Sequence, residues 1–351
     1  WGAICGEYGK GIREIMTAQL GQISLKGGAA PYSPAFLKKM FTLTRLPAAG
    51  IRVKGDQALF NRAAPRYLDG QSISGVQKKL FMDLEGNYLV PVKGHGRYIV
   101  KPAPDHLPHL PENEHAIMQL ARLCKFNVAD NALVPFEDGE LCYVTRRFDL
   151  RDDGRRLFVE DAASLCNVHS SNKGSDNLSY EGVLKKLYEA SGRNMAIIFN
   201  GVRQVLFAYL VGNNDLHCKN LSMYRHPDDA TVRMRDFTPV YDVVSVAPYQ
   251  DYYNEDLTLC VLASELNAVF SPSYEAVGHY CMECFVRLAM NLGMHKAAAQ
   301  KLVAQLCNDV ARYFQPLLAA SSSPDKTVIE QHIKAKLARF APDIAGLKSV
   351  K

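Results

Sequence analysis

The sequence has no long apolar run, no cysteine framework and no large surplus of either charge. Its longest hydrophobic stretches, such as Val205 to Gly212, fall far short of the roughly 20 residues a membrane-spanning helix needs. The N-terminus lacks the charged, apolar and small-residue order of a secretory signal. Because the chain opens at Trp1 rather than Met, no function is read from its first residues. The nine cysteines are an odd number and lie scattered through apolar stretches, which reads as reduced, intracellular usage. A cytoplasmic protein without membrane association is therefore expected. One tight pair, Cys281-Met-Glu-Cys284, has neither a second such pair nor a His pair at zinc spacing, so it is read as structural and no metal is assigned to it. A net charge of +5 is too small for a dedicated nucleic-acid binder. No internal repeat is apparent.

What is present suits a globular chain of about two domains, or one large bilobal one: 351 residues, 48% hydrophobic and 22% charged. Residues 1–70 carry weak periodicity, with a helix only around Phe36 to Leu43, and read as a leader packing on the main body. Residues 71–149 read as a small β-rich lobe. Lys79 to Asp83, Tyr88 to Val92 and Arg97 to Lys101 are short strands separated by Glu85-Gly-Asn87 and Lys93-Gly-His-Gly96 turns. A helix follows Glu112-Asn-Glu114, with Ile117, Leu120, Ala121 and Cys124 at helical spacing. Leu133 to Phe136 and Leu141 to Phe148 complete five strands and one helix. Residues 150–345 read as a helical lobe, with helices over Ala162 to Asn167, Tyr180 to Ser191, Asn194 to Val211, Tyr274 to Leu292, His295 to Leu318 and Thr327 to Phe340.

The strongest chemical signal is Gly212-Asn-Asn-Asp215-Leu-His217-Cys-Lys219-Asn220, after a long apolar helix and before a β-like run. Phosphoryl transfer needs a carboxylate to orient or deprotonate the attacking hydroxyl, and a nearby amide to hold Mg²⁺ without adding charge. Asp215 and Asn220 have the Asp-x-x-x-x-Asn spacing of protein-kinase catalytic loops; the bland alternative is a polar turn capping the preceding helix. Pro239-Val-Tyr241-Asp242 places a second carboxylate at the end of an expected apolar strand, where a metal-binding Asp would stand. His217 either bridges backbone groups or moves a proton. Lys219 either neutralises a transferred phosphate or is a solvated loop cation.

Lys101 ends the strand Tyr98-Ile-Val-Lys, as a nucleotide-binding Lys does in Val-Ala-Ile-Lys, and would contact the α- and β-phosphates of ATP. Glu114 or Glu112 on the following helix would fix it, unless either merely favours the positive helix N-terminus. The segment Gln71-Ser72-Ile-Ser74-Gly75-Val76-Gln77-Lys78-Lys79 stands where kinases place a phosphate-covering loop. It has one Gly rather than three, so an anion grip would come from backbone N–H groups near Gly75 with Lys78 or Lys79. Ser72 and Ser74 are candidates for self-modification that would eject the loop by adding charge.

On Ser72 to Leu80, Tyr98 to Pro104, Leu110 to Met118, Arg146 to Asp149, Gly212 to Asn220 and Pro239 to Tyr249, in that order, the chain resembles the HipA-type serine/threonine kinase toxins of toxin–antitoxin systems, and more closely the short HipT-like branch. The resemblance implies an α+β, bilobal protein-kinase-like fold. It implies an ATP site at Ser74, Gly75, Val76, Gln77, Lys78, Lys79, Lys101, Arg146, Arg147, Phe148, His217, Lys219, Asn220, Tyr241 and Asp242. Asp215 would be the catalytic base, Asn220 and Asp242 the Mg²⁺ ligands, and Ser72 and Ser74 the autophosphorylation sites. It implies a protein substrate, for which the family offers aminoacyl-tRNA synthetases, a helix-turn-helix antitoxin, a separate small HipS-like protein, and DNA contact only through the antitoxin. A small-molecule kinase of the aminoglycoside or choline type, or a non-catalytic partner of a DNA-binding antitoxin, are the competing expectations.

Overall fold

The computed structural model describes residues 34–60, 78–93, 96–151, 153–169, 172, 174, 177–253 and 257–349. The chain separates into two compact units. The first ends at Phe148 and takes in Pro316–Lys326; the second holds Asp149–Gln315 and the chain from Thr327 onward.

The first unit is built on a six-stranded sheet of β1 (Arg52–Val53), β2 (Leu80–Glu85), β3 (Tyr88–Pro91), β4 (Tyr98–Pro102), β5 (Asn131–Pro135) and β6 (Leu141–Arg146), in spatial order β1-β3-β2-β4-β6-β5. β1 pairs with β3 in parallel, and the other neighbours are antiparallel. Alternation along β4 defines two faces. Tyr98 and Val100 are buried in a core with Met40 and Phe41 of α1 (Pro34–Phe41), Leu80 and Met82 of β2, and Val144 of β6. Lys101 is out of phase with them and meets α2 (Leu110–Leu123), a helix buried along almost its whole length, polar Asn113, Glu114 and Gln119 included. The sixth strand, β1, was not among the five expected; two residues are too few to carry a periodic signal, and pairing with β3 rather than local propensity makes it a strand.

The second unit is mainly helical: α3 (Ala162–Leu165), α4 (Tyr180–Ala190), α5 (Met195–Val211), α6 (Pro272–Val277), α7 (Met282–Asn291), α8 (Lys296–Ala320, grouped with the first unit from Pro316), α9 (Lys326–Ala338) and α10 (Ala341–Ser349). α5 is apolar and buried on every side from Val205 to Val211, where its sequence is Val-Leu-Phe-Ala-Tyr-Leu-Val. The Asn194 side chain caps its start by accepting from the Ala196 N–H. Gly201 lets Leu184 of α4 approach so closely that a Cβ there would collide with it. Among the described residues, no helix is long and apolar enough to cross a membrane.

Three expectations need correction. The expected helical lobe also holds a three-stranded antiparallel sheet, β7 (Phe158–Asp161), β8 (Ser222–Arg225) and β9 (Asp236–Phe237). The single helix expected over Tyr274 to Leu292 is split into α6 and α7, because Gly278 turns left-handed at φ 70° and closes α6 onto the Tyr274 carbonyl. The strand expected to end at Asp242 stops at Phe237, and Asp242 itself has φ 58°, a left-handed value that no strand residue adopts.

Candidate active site

The segment 212–220 runs as irregular chain into one 3₁₀ turn at Cys218–Asn220, and its backbone is clamped at nearly every step. Gly212 ends α5 in the left-handed region, φ 71°, with its N–H on the carbonyls of Ala208 and Tyr209. Its own carbonyl accepts from the Val246 N–H at 2.8 Å. The Thr258 hydroxyl donates to the Asn214 carbonyl, and the Tyr180 hydroxyl donates to the Leu216 carbonyl at 2.8 Å. Burial holds the Tyr180 phenol well above its ordinary pKa, so it remains a donor. Asn213 accepts from the Asp215 N–H at 3.1 Å, while the Asp215 carbonyl accepts from the Asn220 side-chain amide at 2.9 Å. The polar turn is therefore made by Asn213, a residue not singled out in the sequence. Asp215 and Asn220 are held together by a direct bond. In this rigid frame the Asp215 side chain stays 66% exposed, with His217 Nε2 3.6 Å from its carboxylate.

The segment carrying Asp242 is tied to both ends of this loop. Tyr241 donates from its hydroxyl to the Lys219 carbonyl at 2.9 Å and exchanges a 2.7 Å hydrogen bond with the Ser222 hydroxyl. Val246, four residues beyond Asp242, makes the bond to Gly212 described above. A left-handed Asp between two such anchors is backbone strain of the kind that persists only where surrounding contacts impose it. Lys219 is ion-paired, its ammonium 3.0 Å from the Asp161 carboxylate at the end of β7. Asp161 in turn caps α3 by accepting from the Ser164 N–H. His217 is 4% exposed, and its backbone N–H donates to the Asp215 carbonyl.

In the first unit, Lys101 Nζ is 2.7 Å from Glu114 Oε1, and both residues are buried at 5% and 0% exposure. Glu112 instead lies 3.7 Å from His109 at the helix start. The Lys101 ammonium also sits 5.4 Å from the centre of the Tyr143 ring, its cross-strand partner on β6. The neighbouring basic residues are partly engaged in the sheet. Arg146 donates to the Lys39 carbonyl, and Arg147 donates to the Gly96 carbonyl while its guanidinium lies 4.8 Å over the Phe81 ring. Phe148 is half-buried and is the last residue before the division between the units. Lys78 is exposed and Lys79 half-buried just before β2. Ser72, Ser74, Gly75, Val76 and Gln77 lie outside the described residues.

The family model described as HipA-like C-terminal domain matches residues 71–314, which span both units. The chain belongs to this HipA-like family. A protein of Haemophilus influenzae named as a candidate kinase is 31% identical over 297 residues, 78% of this chain and 85% of that protein. The serine/threonine-protein kinase toxin HipA of Shewanella oneidensis is 29% identical over 221 residues, 58% of this chain and 48% of the toxin. The solved structure of HipA from that organism, with HipB and operator DNA, matches with a TM-score of 0.65 at 20% identity, covering 98% of this chain and 82% of that one. The α+β, HipA-type kinase fold is thereby established.

In this HipA-like chain the sequence pointed to the 212–220 loop and to Tyr241 and Asp242 but missed the side chains that hold these segments. Tyr180, Thr258, Ser222 and Asp161 belong to four different elements or loops, and each acts through a single hydroxyl or carboxylate. No local spacing announces such residues. Only the fall of Tyr180 and Asp161 at helix starts was visible beforehand.

Proposed function

We propose that this chain is a serine/threonine protein kinase toxin of the short HipT-like branch, transferring the ATP γ-phosphate to a serine of a protein substrate. The observation carrying the proposal is the fixed relation between two segments of the second unit. An exposed carboxylate, Asp215, stands on a loop whose backbone is clamped, and the Tyr241–Asp242 segment is anchored to both ends of that loop. Asp215 acts as general base on the incoming serine hydroxyl, a role for which exposure suits it and clamping preorganises it. The side-chain nitrogen of Asn220 is committed to the Asp215 carbonyl, so its oxygen is the end offered to a cation. Together with the Asp242 carboxylate it provides the hard oxygen donors that Mg²⁺ prefers, and the ion supplies charge neutralisation on the phosphates.

Lys101, aimed by its pair with Glu114, takes the α- and β-phosphates. Residues 74–79, Arg146, Arg147, Phe148, His217, Lys219 and Tyr241 are the other residues proposed for nucleotide binding. Ser72 and Ser74 are the proposed autophosphorylation sites. An aminoacyl-tRNA synthetase is the proposed substrate class. A helix-turn-helix antitoxin and a small HipS-like protein are the proposed partners, with DNA reached only through the antitoxin.

The test is Asp215→Gln assayed with labelled ATP against lysate proteins and, separately, against the metabolite fraction. Label on protein serine, including the chain's own Ser72 or Ser74 by mass spectrometry, is expected with the native chain and lost in the variant. Because the side chain is exposed, stability should change by no more than about 0.5 kcal/mol. Persistent transfer in the variant overturns the role of Asp215, and label confined to metabolites overturns the protein-kinase reading.

A further inference from the structure

Away from the loop and its anchors, two nucleophiles form a pair that the proposed function does not use. Cys281 and Cys284 face each other at the start of α7 with their sulfurs 4.0 Å apart. That approach places them within a side-chain rotation of the roughly 2.05 Å disulfide bond length. Cys281 is the N-cap residue of this ten-residue helix, with extended backbone and no side-chain hydrogen bond to the helix N–H groups. An anionic sulfur there lies at the positive end of the helix dipole.

The two thiols are unequal in ways that divide the labour of a dithiol. Cys281 keeps 8% of its surface and Cys284 none. The Cys284 sulfur is further enclosed by the Ser271 hydroxyl at 3.3 Å and the Ser273 hydroxyl at 3.9 Å. A hydrogen bond from the Cys284 thiol holds Cys281 down at about 6, and the same contact, with burial, drives Cys284 above the usual thiol range. Burial pushes the thiols of Cys142, Cys218 and Cys307 the other way, upward from the ordinary value. Cys281 is thus the less enclosed thiol, favoured as the thiolate, and Cys284 its protonated partner.

We propose that Cys281 and Cys284 are a redox-active dithiol which hydrogen peroxide converts to a reversible intrachain disulfide. The Cys281 sulfur attacks one peroxide oxygen and breaks the O–O bond, giving a sulfenic acid and hydroxide. The hydroxide takes up the proton that Cys281 released on ionising and leaves as water. The Cys284 sulfur then attacks the sulfenic sulfur, forming the S–S bond and expelling a second water. The two thiols lose two electrons and two protons, and the peroxide becomes two waters. A small dithiol reductant reverses the change. This chemistry is independent of phosphoryl transfer and stands or falls separately from it.

The experiment is titration of the reduced full chain with hydrogen peroxide, followed by capping with N-ethylmaleimide and peptide mapping by mass spectrometry. The peptide bearing both residues is expected to lose two hydrogens and to resist capping at peroxide doses that leave the other cysteines labelled. Dithiothreitol restores both labels, and Cys281→Ser abolishes the loss. Full capping of Cys281 and Cys284 at a dose that oxidises other cysteines overturns the proposal. So does sulfinic acid at Cys281 in place of the disulfide, or a bond from either residue to a third cysteine. The mapping is done on the native chain, so the result does not depend on the variant folding.

Discussion

The hydroxyl of Tyr241 donates a 2.9 Å hydrogen bond to the carbonyl of Lys219, tying the residue before Asp242 to the residue before Asn220. The two side chains proposed to share a cation are thus carried on backbones joined one position upstream of each. The bond lies between residues that local chain geometry would leave unrelated.

Tyr241→Phe keeps the ring and removes this bond together with the contact to Ser222. A loss of about 1–3 kcal/mol in unfolding free energy is expected, the usual worth of two such hydrogen bonds. If the bond positions Asp242, phosphate transfer should fall about tenfold, equivalent to about 1.4 kcal/mol in the barrier. A stability loss with unchanged transfer at saturating Mg²⁺ and ATP would limit the bond to a structural role. Parallel urea melts and turnover measurements separate the two.

The buried Lys101–Glu114 pair makes single truncations costly in a way that could be mistaken for lost nucleotide affinity. Lys101→Ala removes the cation 2.7 Å from the buried Glu114 carboxylate and should destabilise the chain by about 3–5 kcal/mol. The double variant Lys101→Met with Glu114→Gln removes both charges and should recover most of that. Calorimetry with ATP on the double variant then isolates the contribution of the ammonium to binding, which is expected to be lost in the refolded, stable protein.

Gly212 stands at φ 71°, and a Cβ there would come within 2.7 Å of the His332 ring nitrogen. Gly212→Ala should cost about 1–2 kcal/mol from the left-handed backbone alone, before the ring has moved. Because Gly212 also receives the Val246 N–H, the displacement should reach the Asp242 segment. A fall in phosphate transfer larger than that of an equally destabilised variant on the outer face of α8 would be its signature.

His115 carries a pH prediction. The Gln119 amide nitrogen donates both to His115 Nε2 at 3.2 Å and to Asn131 Oδ1 at 3.0 Å, so the imidazole accepts there and stays neutral. Burial first, and the Arg122 charge second, hold its pKa down at about 3. Above about pH 7.5 the ring is neutral in both folded and unfolded chains and contributes no pH dependence. As pH falls from 6.5 toward 3 the unfolded chain takes up a proton that the folded one refuses, and stability drops by up to about 1.4 kcal/mol per pH unit. Between pH 6.5 and 5, ahead of most carboxylate titration, His115→Gln should flatten the curve measured by urea unfolding. An unchanged slope would contradict a buried neutral His115.

Much of the fold was legible in advance because strands and helices announce themselves by local period. The alternation around Lys101, the apolar length of α5 and the turn residues of the first sheet are of this kind. The five-residue spacing of Asp215 and Asn220 was equally readable, since one irregular turn holds both. The strand assigned before Asp242 was wrong for a physical reason: Pro239-Val-Tyr is apolar enough for a strand, but the anchors at Lys219 and Gly212 bend the chain into a conformation propensity does not favour. The long helix across Gly278 failed because its apolar period continues on both sides of a residue free to turn left-handed.

By itself, then, the sequence determined the kinds of element, the position of Lys101 on its strand, and the loop chemistry of Asp215 and Asn220, because each depends on residues a few positions apart. Tertiary structure alone decided that Glu114 rather than Glu112 meets Lys101, that Lys219 is held by Asp161 across 58 residues of chain, and that Tyr180 and Thr258 clamp the loop. Those choices are made by burial: a charge or hydroxyl removed from water must find a partner among whatever the folded chain has brought within reach, and local sequence does not name that partner.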